Sequence, residues 1–250
     1  PLTFTNANWN TAQTVTVTGV DDNLIDGNVN STITIVVDDA NSDNDFDAVA
    51  NQTVTATTTD NDVAGFTITQ TGGSTSVAET GTTDTFTIVL NAQPSSNVVL
   101  TVTSSDTGEA TVNTPLTFTS GNWNTAQTVT VTGVNDNIID GTISSTITIA
   151  VDDANSDNDF DPVANQTVTA TTTDNDIAGF TVAQTGGSTS VAETGTTDTF
   201  TVVLNAQPVS NVVLSVASSD TGESTTTSSL TFTNANWNTA QTVTVTGVDD

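Results

Sequence analysis

Thr14-Val15-Thr16-Val17-Thr18 alternates a hydroxyl side chain with a β-branched apolar one. The same alternation returns at Thr32-Ile33-Thr34-Ile35 and at Thr53-Val54-Thr55-Ala56-Thr57. Successive side chains of an extended chain point to opposite faces, so a period of two predicts strands with one apolar face and one hydroxyl face. Helix signals are absent from the chain. The fold class these segments predict is all-β.

The alternating segments belong to a longer internal repeat. Pro1-Leu2-Thr3-Phe4-Thr5 recurs as Pro115-Leu116-Thr117-Phe118-Thr119, and again as Leu230-Thr231-Phe232-Thr233. The period is 114 residues, too long for a helical solenoid and suited to an array of whole domains. Asp60-Asn61-Asp62 and Asp174-Asn175-Asp176 each close a Thr-rich strand and precede Val63-Ala64-Gly65-Phe66 or Ile177-Ala178-Gly179-Phe180. Boundaries placed there give one complete unit at 63–176, the back part of a unit at 1–62 and the front part of another at 177–250. The chain then reads as a window on a longer array.

In the complete unit the alternation predicts strands near 65–70, 84–90, 97–103, 115–119, 127–133, 144–151 and 166–173. Seven such strands in about a hundred residues describe an immunoglobulin-like β-sandwich. Phe66, Phe86, Val99, Phe118, Val129 and Ile147 are the expected core residues.

Composition limits the function. The chain has no Lys, Arg, His, Cys, Met or Tyr, and its Asp and Glu residues give a formal charge of −29. Nucleic acid and anionic membrane are excluded as partners, because both are polyanions that need a basic footprint. No disulfide can form. Acid–base chemistry would fall to carboxylates alone, and no cleft or nucleophile motif accompanies them, so an enzyme is not expected. The carboxylates also lack any side-chain cation, and solvent metal is the leading candidate to neutralise them.

The order of motifs resembles the Calx-beta repeats of sodium–calcium exchangers and very large bacterial surface proteins. Val77-Ala78-Glu79-Thr80-Gly81 stands where that family carries V-S-E-G, and Ser105-Asp106-Thr107-Gly108-Glu109-Ala110 where it carries S-D-G-T-A. Leu116-Thr117-Phe118 then precedes an acidic turn, Val134-Asn135-Asp136-Asn137-Ile138-Ile139-Asp140-Gly141, and Asp174-Asn175-Asp176 closes the unit. The resemblance covers the whole unit, with Asn for Asp and Asp for Glu at several positions. It implies tandem Calx-beta-like sandwiches whose acidic loops gather at one pole and bind calcium. The implied ligands are Glu79, Asp106, Asp136, Asp140, Asp174 and Asp176. Their counterparts are Asp22, Asp26, Asp60 and Asp62 in the preceding copy and Glu193, Asp220 and Asp250 in the following one.

Physical chemistry agrees with a cation there. Two unit charges ~4 Å apart repel by roughly 4 kcal/mol at an effective dielectric near 20, so five or six carboxylates would splay the loops unless a cation bridged them. Calcium takes six to eight oxygens from carboxylates, carbonyls and water. The contrary reading is a solvated acidic end, as charge runs commonly are.

A second acidic loop holds Asp157, Asp159 and Asp161, repeated at Asp43, Asp45 and Asp47. It lacks the Gly and Glu of an EF-hand loop and is flanked by strands, but remains a possible second metal loop. It is expected to abut the acidic pole of the preceding unit, so that Asp22, Asp26, Asp60 and Asp62 face Asp152 to Asp161 and calcium stiffens the joint. Trp9, Trp123 and Trp237, one per unit, are expected to close the end of each core, with sugar stacking as the alternative. These features describe a structural repeat of an extracellular bacterial surface protein or filament, with neighbouring repeats or identical chains as partners. The alternative is an adhesin repeat that grips a carbohydrate, host or mineral surface.

Overall fold

A computed structural model describes residues 1–249. Two strands, β1 (Val29–Ile35) and β2 (Gln52–Thr58), form an antiparallel hairpin with Val29 opposite Thr58 and Ile35 opposite Gln52. The middle of the chain contributes nine strands. They are β3 (Phe66–Gln70), β4 (Thr75–Ala78), β5 (Thr83–Leu90), β6 (Val98–Ser104), β7 (Ala110–Val112), β8 (Leu116–Phe118), β9 (Gln127–Gly133), β10 (Ile143–Val151) and β11 (Gln166–Thr173). One sheet has the order β4-β11-β10-β6-β8 and the other β3-β5-β9-β7.

The two sheets face each other across one core. Phe86 and Ile88 of β5 and Val129 and Val131 of β9 are buried from one side. Leu100 and Val102 of β6, Ile147 and Ile149 of β10, and Val168 and Ala170 of β11 are buried from the other. Burying each large side chain contributes roughly 1.5–3 kcal/mol, and the alternation puts the threonines between them on the outer faces. The architecture is an all-β sandwich, as the alternation predicts. Among the described residues the helical segments are single 3₁₀ turns, and no helix is long and apolar enough to cross a membrane.

Three details differ from the sequence reading. Two strands, β4 and β7, fall in stretches read as loops, because at four and three residues they are too short to show a period. β4 leaves the β3 sheet and runs parallel to β11 in the opposite one. Val99 is only half-buried, while Val98, Leu100 and Val102 point inward, so the apolar run Val98-Val99-Leu100 concealed which alternate set faces the core. Finally, residues 13–19 form no strand, although Gln127–Gly133, the same seven residues, form β9 between β5 and β7. A strand takes its hydrogen bonds from its neighbours, and residues 13–19 have none here.

The remaining strands are β12 (Phe180–Gln184), β13 (Thr197–Leu204), β14 (Val212–Ser215), β15 (Ser224–Thr226), β16 (Ser229–Phe232) and β17 (Gln241–Gly247). They form a four-stranded sheet, β12-β13-β17-β15, and a pair, β14-β16. A smaller core of Val202, Leu204, Leu230, Phe232 and Val243 lies between them. Trp123 and Trp237 pack half-buried against the two cores, and their carbonyls accept the N–H of Leu90 and Leu204 at 3.1 Å. Trp9, in the segment without strands, is 71% exposed.

Candidate metal centre

Glu79 follows the last residue of β4. Its N–H donates to the Thr173 carbonyl at 3.1 Å, extending the β4–β11 pairing by one residue. The turn after it is closed by the Gly81 N–H on the Ala78 carbonyl (3.1 Å) and the Ala78 N–H on Thr82 Oγ1 (2.7 Å). Gly81 sits at φ 85°, which suits glycine. Gly133, at the end of β9, backs this turn so closely that a Cβ would lie 2.1 Å from the Ala78 carbonyl oxygen. Gly133→Ala is therefore expected to push the Glu79 turn out of place and to destabilise the unit by about 1–3 kcal/mol. Thermal unfolding of the variant checks this.

Glu109 is set by a different turn. Asp106 Oδ1 accepts the Gly108 N–H (3.0 Å) and the Asp106 carbonyl accepts the Ala110 N–H (3.1 Å). The Glu109 carbonyl takes the Val134 N–H at 2.8 Å and the Thr172 hydroxyl at 3.2 Å, fixing the turn to β9 and β11. Asp106 itself is exposed, and its role here is to shape the turn that presents Glu109.

The third loop brings Asp136 and Asp140. Asp136 Oδ1 accepts the Ile138 N–H at 2.7 Å. Asp174 clasps this loop to the end of β11, taking the Asp140 and Gly141 N–H groups on Oδ2 (3.1 and 2.9 Å) and the Asp176 N–H on Oδ1 (2.6 Å). These bonds hold the Asp174 carboxyl below its ordinary pKa. Asp60 makes the same clasp in the preceding copy, to Asp26, Gly27 and Asp62 at 3.1, 2.8 and 2.8 Å.

What converges is a carboxylate cluster. Oxygens of Glu79, Glu109 and Asp140 lie within 4.8 Å of one another, as do oxygens of Glu79, Asp136 and Asp176. Glu79 is shared and is 1% exposed, and Glu109 is 6% exposed. Glu79 Oε2 accepts the Asn175 N–H at 3.3 Å, but Glu79 Oε1, Glu109 Oε2 and Asp176 Oδ2 are buried with no hydrogen-bond partner. Burial, aided by the Asp140 and Glu79 charges, pushes the Glu109 carboxyl up to about 7. Burial and neighbouring carboxylates also raise Glu79, Asp140 and Asp176. Buried, partnerless carboxylate oxygens are costly and rare, so a set of them turned on one another suits a hard cation. These residues fit calcium: Glu79, Glu109, Asp136, Asp140 and Asp176 would hold it, and the ion would neutralise their charge.

Glu109 is the ligand candidate that the sequence reading passed over. Its signal was available: the chain has only four Glu residues, at 79, 109, 193 and 223, among 29 acids. Every acid in residues 63–176 is thus Asp except Glu79 and Glu109, both of which belong to this cluster. Of the expected ligands, Asp106 and Asp174 stand beside the cluster as supports.

Asp22 and Asp26 are exposed and Asp60 and Asp62 half-buried; burial and the Asp60 and Asp21 charges raise Asp62. Glu193 and Asp220 are exposed, and Asp250 lies outside the described residues.

The second acidic loop is arranged differently. Asp157, 4% exposed, accepts the Ser95 hydroxyl and the Ser96 N–H at 2.8 Å and the Asp159 N–H at 3.2 Å. Burial raises its pKa, but these bonds outweigh it and the net shift is downward. Asp159 and Asp161 are exposed, as are Asp43, Asp45 and Asp47, and none of the six belongs to the convergent groups. Asp157 is a tether between the loop and the turn before β6.

Consecutive copies touch through the loop that bears the acids. The Gln93 N–H donates to the Asn23 carbonyl (2.7 Å) and the Ile25 N–H to the Gln93 carbonyl (3.3 Å). The Gln207 N–H repeats the first bond on Asn137 at 2.7 Å. Ile25 packs against the central core, and Asp62 and Asp159 line one cavity with Ile25, Val63, Ala64, Pro162 and Val163.

No protein-family model matches the chain, and no curated protein matches it. Among solved structures it is similar to the apo-form CBD1 domain of Calx, at 13% identity over 44% of this chain and 98% of that one, TM-score 0.33. It is similar to the calcium binding domain CBD12 of Calx at 14% identity over 74% and 76%, TM-score 0.30. It is also similar to domains 4 and 5 of the S-layer protein SbsC, at 28% identity over 50% of this chain and 52% of that one, TM-score 0.32.

Proposed function

We propose that the chain is a run of structural repeats from an extracellular surface protein or filament, in which calcium at the pole of each sandwich fixes that unit and its joint to the next. The observation that carries this reading is the trio of buried, partnerless oxygens on Glu79, Glu109 and Asp176, in a chain with no Lys, Arg or His to neutralise them. The loop holding Asp136 and Asp140 is also the loop whose Asn137 carbonyl accepts the Gln207 N–H of the following copy. A cation that orders the loop therefore orders the contact. Repetition of one scaffold suits a stalk, spacer or fibre subunit in the cell-surface layer.

The test is a melting curve in chelator, magnesium and calcium. A ligand at a hundred times its dissociation constant stabilises by about 2.7 kcal/mol. For a unit of this size that is a rise on the order of 10 °C. Calcium, with its flexible many-oxygen shell, is expected to give the rise and magnesium to give little. No shift with any divalent ion would return the pole to a solvated acidic end.

A further inference from the structure

We propose, on the reading that the pole holds calcium, that Asn135 sets the affinity of the central unit below that of copies with Asp at the same position. The repeats would then carry sites of two grades. One period of 114 residues to either side of Asn135 stand Asp21 and Asp249. The rest of the loop hardly changes: Asn135-Asp136-Asn137-Ile138-Ile139-Asp140-Gly141 repeats Asp21-Asp22-Asn23-Leu24-Ile25-Asp26-Gly27. Its one change of charge falls at the first residue.

In the central unit both ends of the Asn135 amide are used. Its Oδ1 accepts the Asn175 Nδ2 amide at 2.7 Å, and its Nδ2 donates to the Asp136 carbonyl at 2.8 Å. Asn175 in turn donates its backbone N–H to Glu79 Oε2 at 3.3 Å. Asn135 is therefore one hydrogen-bonded residue away from the carboxylate shared by both groups of converging oxygens. That pole already lacks positive charge. Glu79 is 1% exposed and Glu109 6%, and Glu79 Oε1 and Glu109 Oε2 are buried with no partner.

An Asp at this exposed position needs no repacking. It keeps an oxygen to accept from Asn175, but it places a second oxygen where the amide nitrogen stands. That oxygen faces the Asp136 carbonyl with no hydrogen between them. The two repel unless a cation lies against both, and a hard cation that takes six to eight oxygens gains a pair of ligands there. Asn135 thus suits the metal-free pole, because its N–H caps the carbonyl, whereas Asp suits the loaded one. Ligand charge count is a main lever on calcium affinity, which spans decades among sites of one architecture. Units with Asp would fill at lower calcium and units with Asn at higher, so an array that mixes them would stiffen in steps.

Calcium titration calorimetry and melting curves of the 250-residue chain test this with Asn135→Asp and Asn135→Ala. Among the described residues both groups of converging oxygens share Glu79, so a single pole is read. Asn135→Asp should tighten calcium binding at least about tenfold. It should also lower the melting temperature in chelator, since a bare carboxylate then faces the Asp136 carbonyl. Asn135→Ala removes both hydrogen bonds without adding charge, and should not tighten binding. The calcium response of the parent chain reads the metal assignment separately. A parent that responds while Asn135→Asp binds no tighter, or while Asn135→Ala tightens as much, overturns the grading and leaves the calcium reading standing. A silent parent with a responsive Asn135→Asp bears the grading out and removes calcium from the central unit. Silence in both overturns the grading and the calcium reading together.

Discussion

Glu79→Gln is expected to raise the stability of the metal-free protein and to abolish the calcium-dependent rise in melting temperature. The two effects have opposite signs and one cause. Glu79 belongs to both groups of converging oxygens, is 1% exposed, and has one oxygen with no partner. A neutral amide of the same shape can still accept the Asn175 N–H, while the buried charge is gone, worth about 1–3 kcal/mol without metal. The same change removes the ligand common to both groups, so the rise on the order of 10 °C with calcium should vanish. Paired melting curves in chelator and calcium read both effects. A variant less stable than the parent in chelator would mean that Glu79 serves packing, with no strain from its charge.

Calcium affinity is expected to fall about tenfold between pH 8 and pH 6 through Glu109 alone. Its carboxyl titrates at about 7, and a ligand must lose its proton before it binds the ion. Calorimetry in buffers of different ionisation enthalpy should register proton release on binding near pH 7. The metal-free protein has a related signature. Glu109 binds its proton more tightly folded than unfolded, so stability falls as pH rises from about 4.5 to 7, by on the order of 3 kcal/mol. Asp157 and Asp174 are shifted the other way, so their contribution is present above about 3.8 and is lost as pH falls through their lowered folded values. Metal-free stability should therefore peak near pH 4–5 and decline on both sides. Calcium should remove the decline on the alkaline side.

The structure gathers some of the expected acids at one hollow and leaves others apart. Four acidic segments in the order of the Calx-beta motifs point to Glu79, Asp136, Asp140 and Asp176, because the resemblance implies those positions as ligands. The resemblance implies Asp106 and Asp174 in the same way, and the alternation with Asp159 and Asp161 points to Asp157; the structure gives all three hydrogen bonds that shape loops. Spacing shows that a carboxylate stands in a turn. Whether its oxygens face neighbouring N–H groups or a shared hollow depends on backbone directions in that turn. Glu109 was hidden by the converse problem, since one acid at the end of a loop gives no local sign of burial.

The fold divides in the same way. Alternation by itself determined that the chain is β and that sheets with apolar inner faces must pair, because the period of two belongs to each segment alone. It could not determine which segments pair with one another. Gln-Thr-Val-Thr-Val-Thr-Gly forms a strand at 127–133 and again at 241–247. Each lies between two partners, β5 and β7 for β9 and β13 and β15 for β17, which take its hydrogen bonds. A strand's propensity is local, but its stability lies in partners distant in sequence, and the choice of partners is made only when the chain is folded.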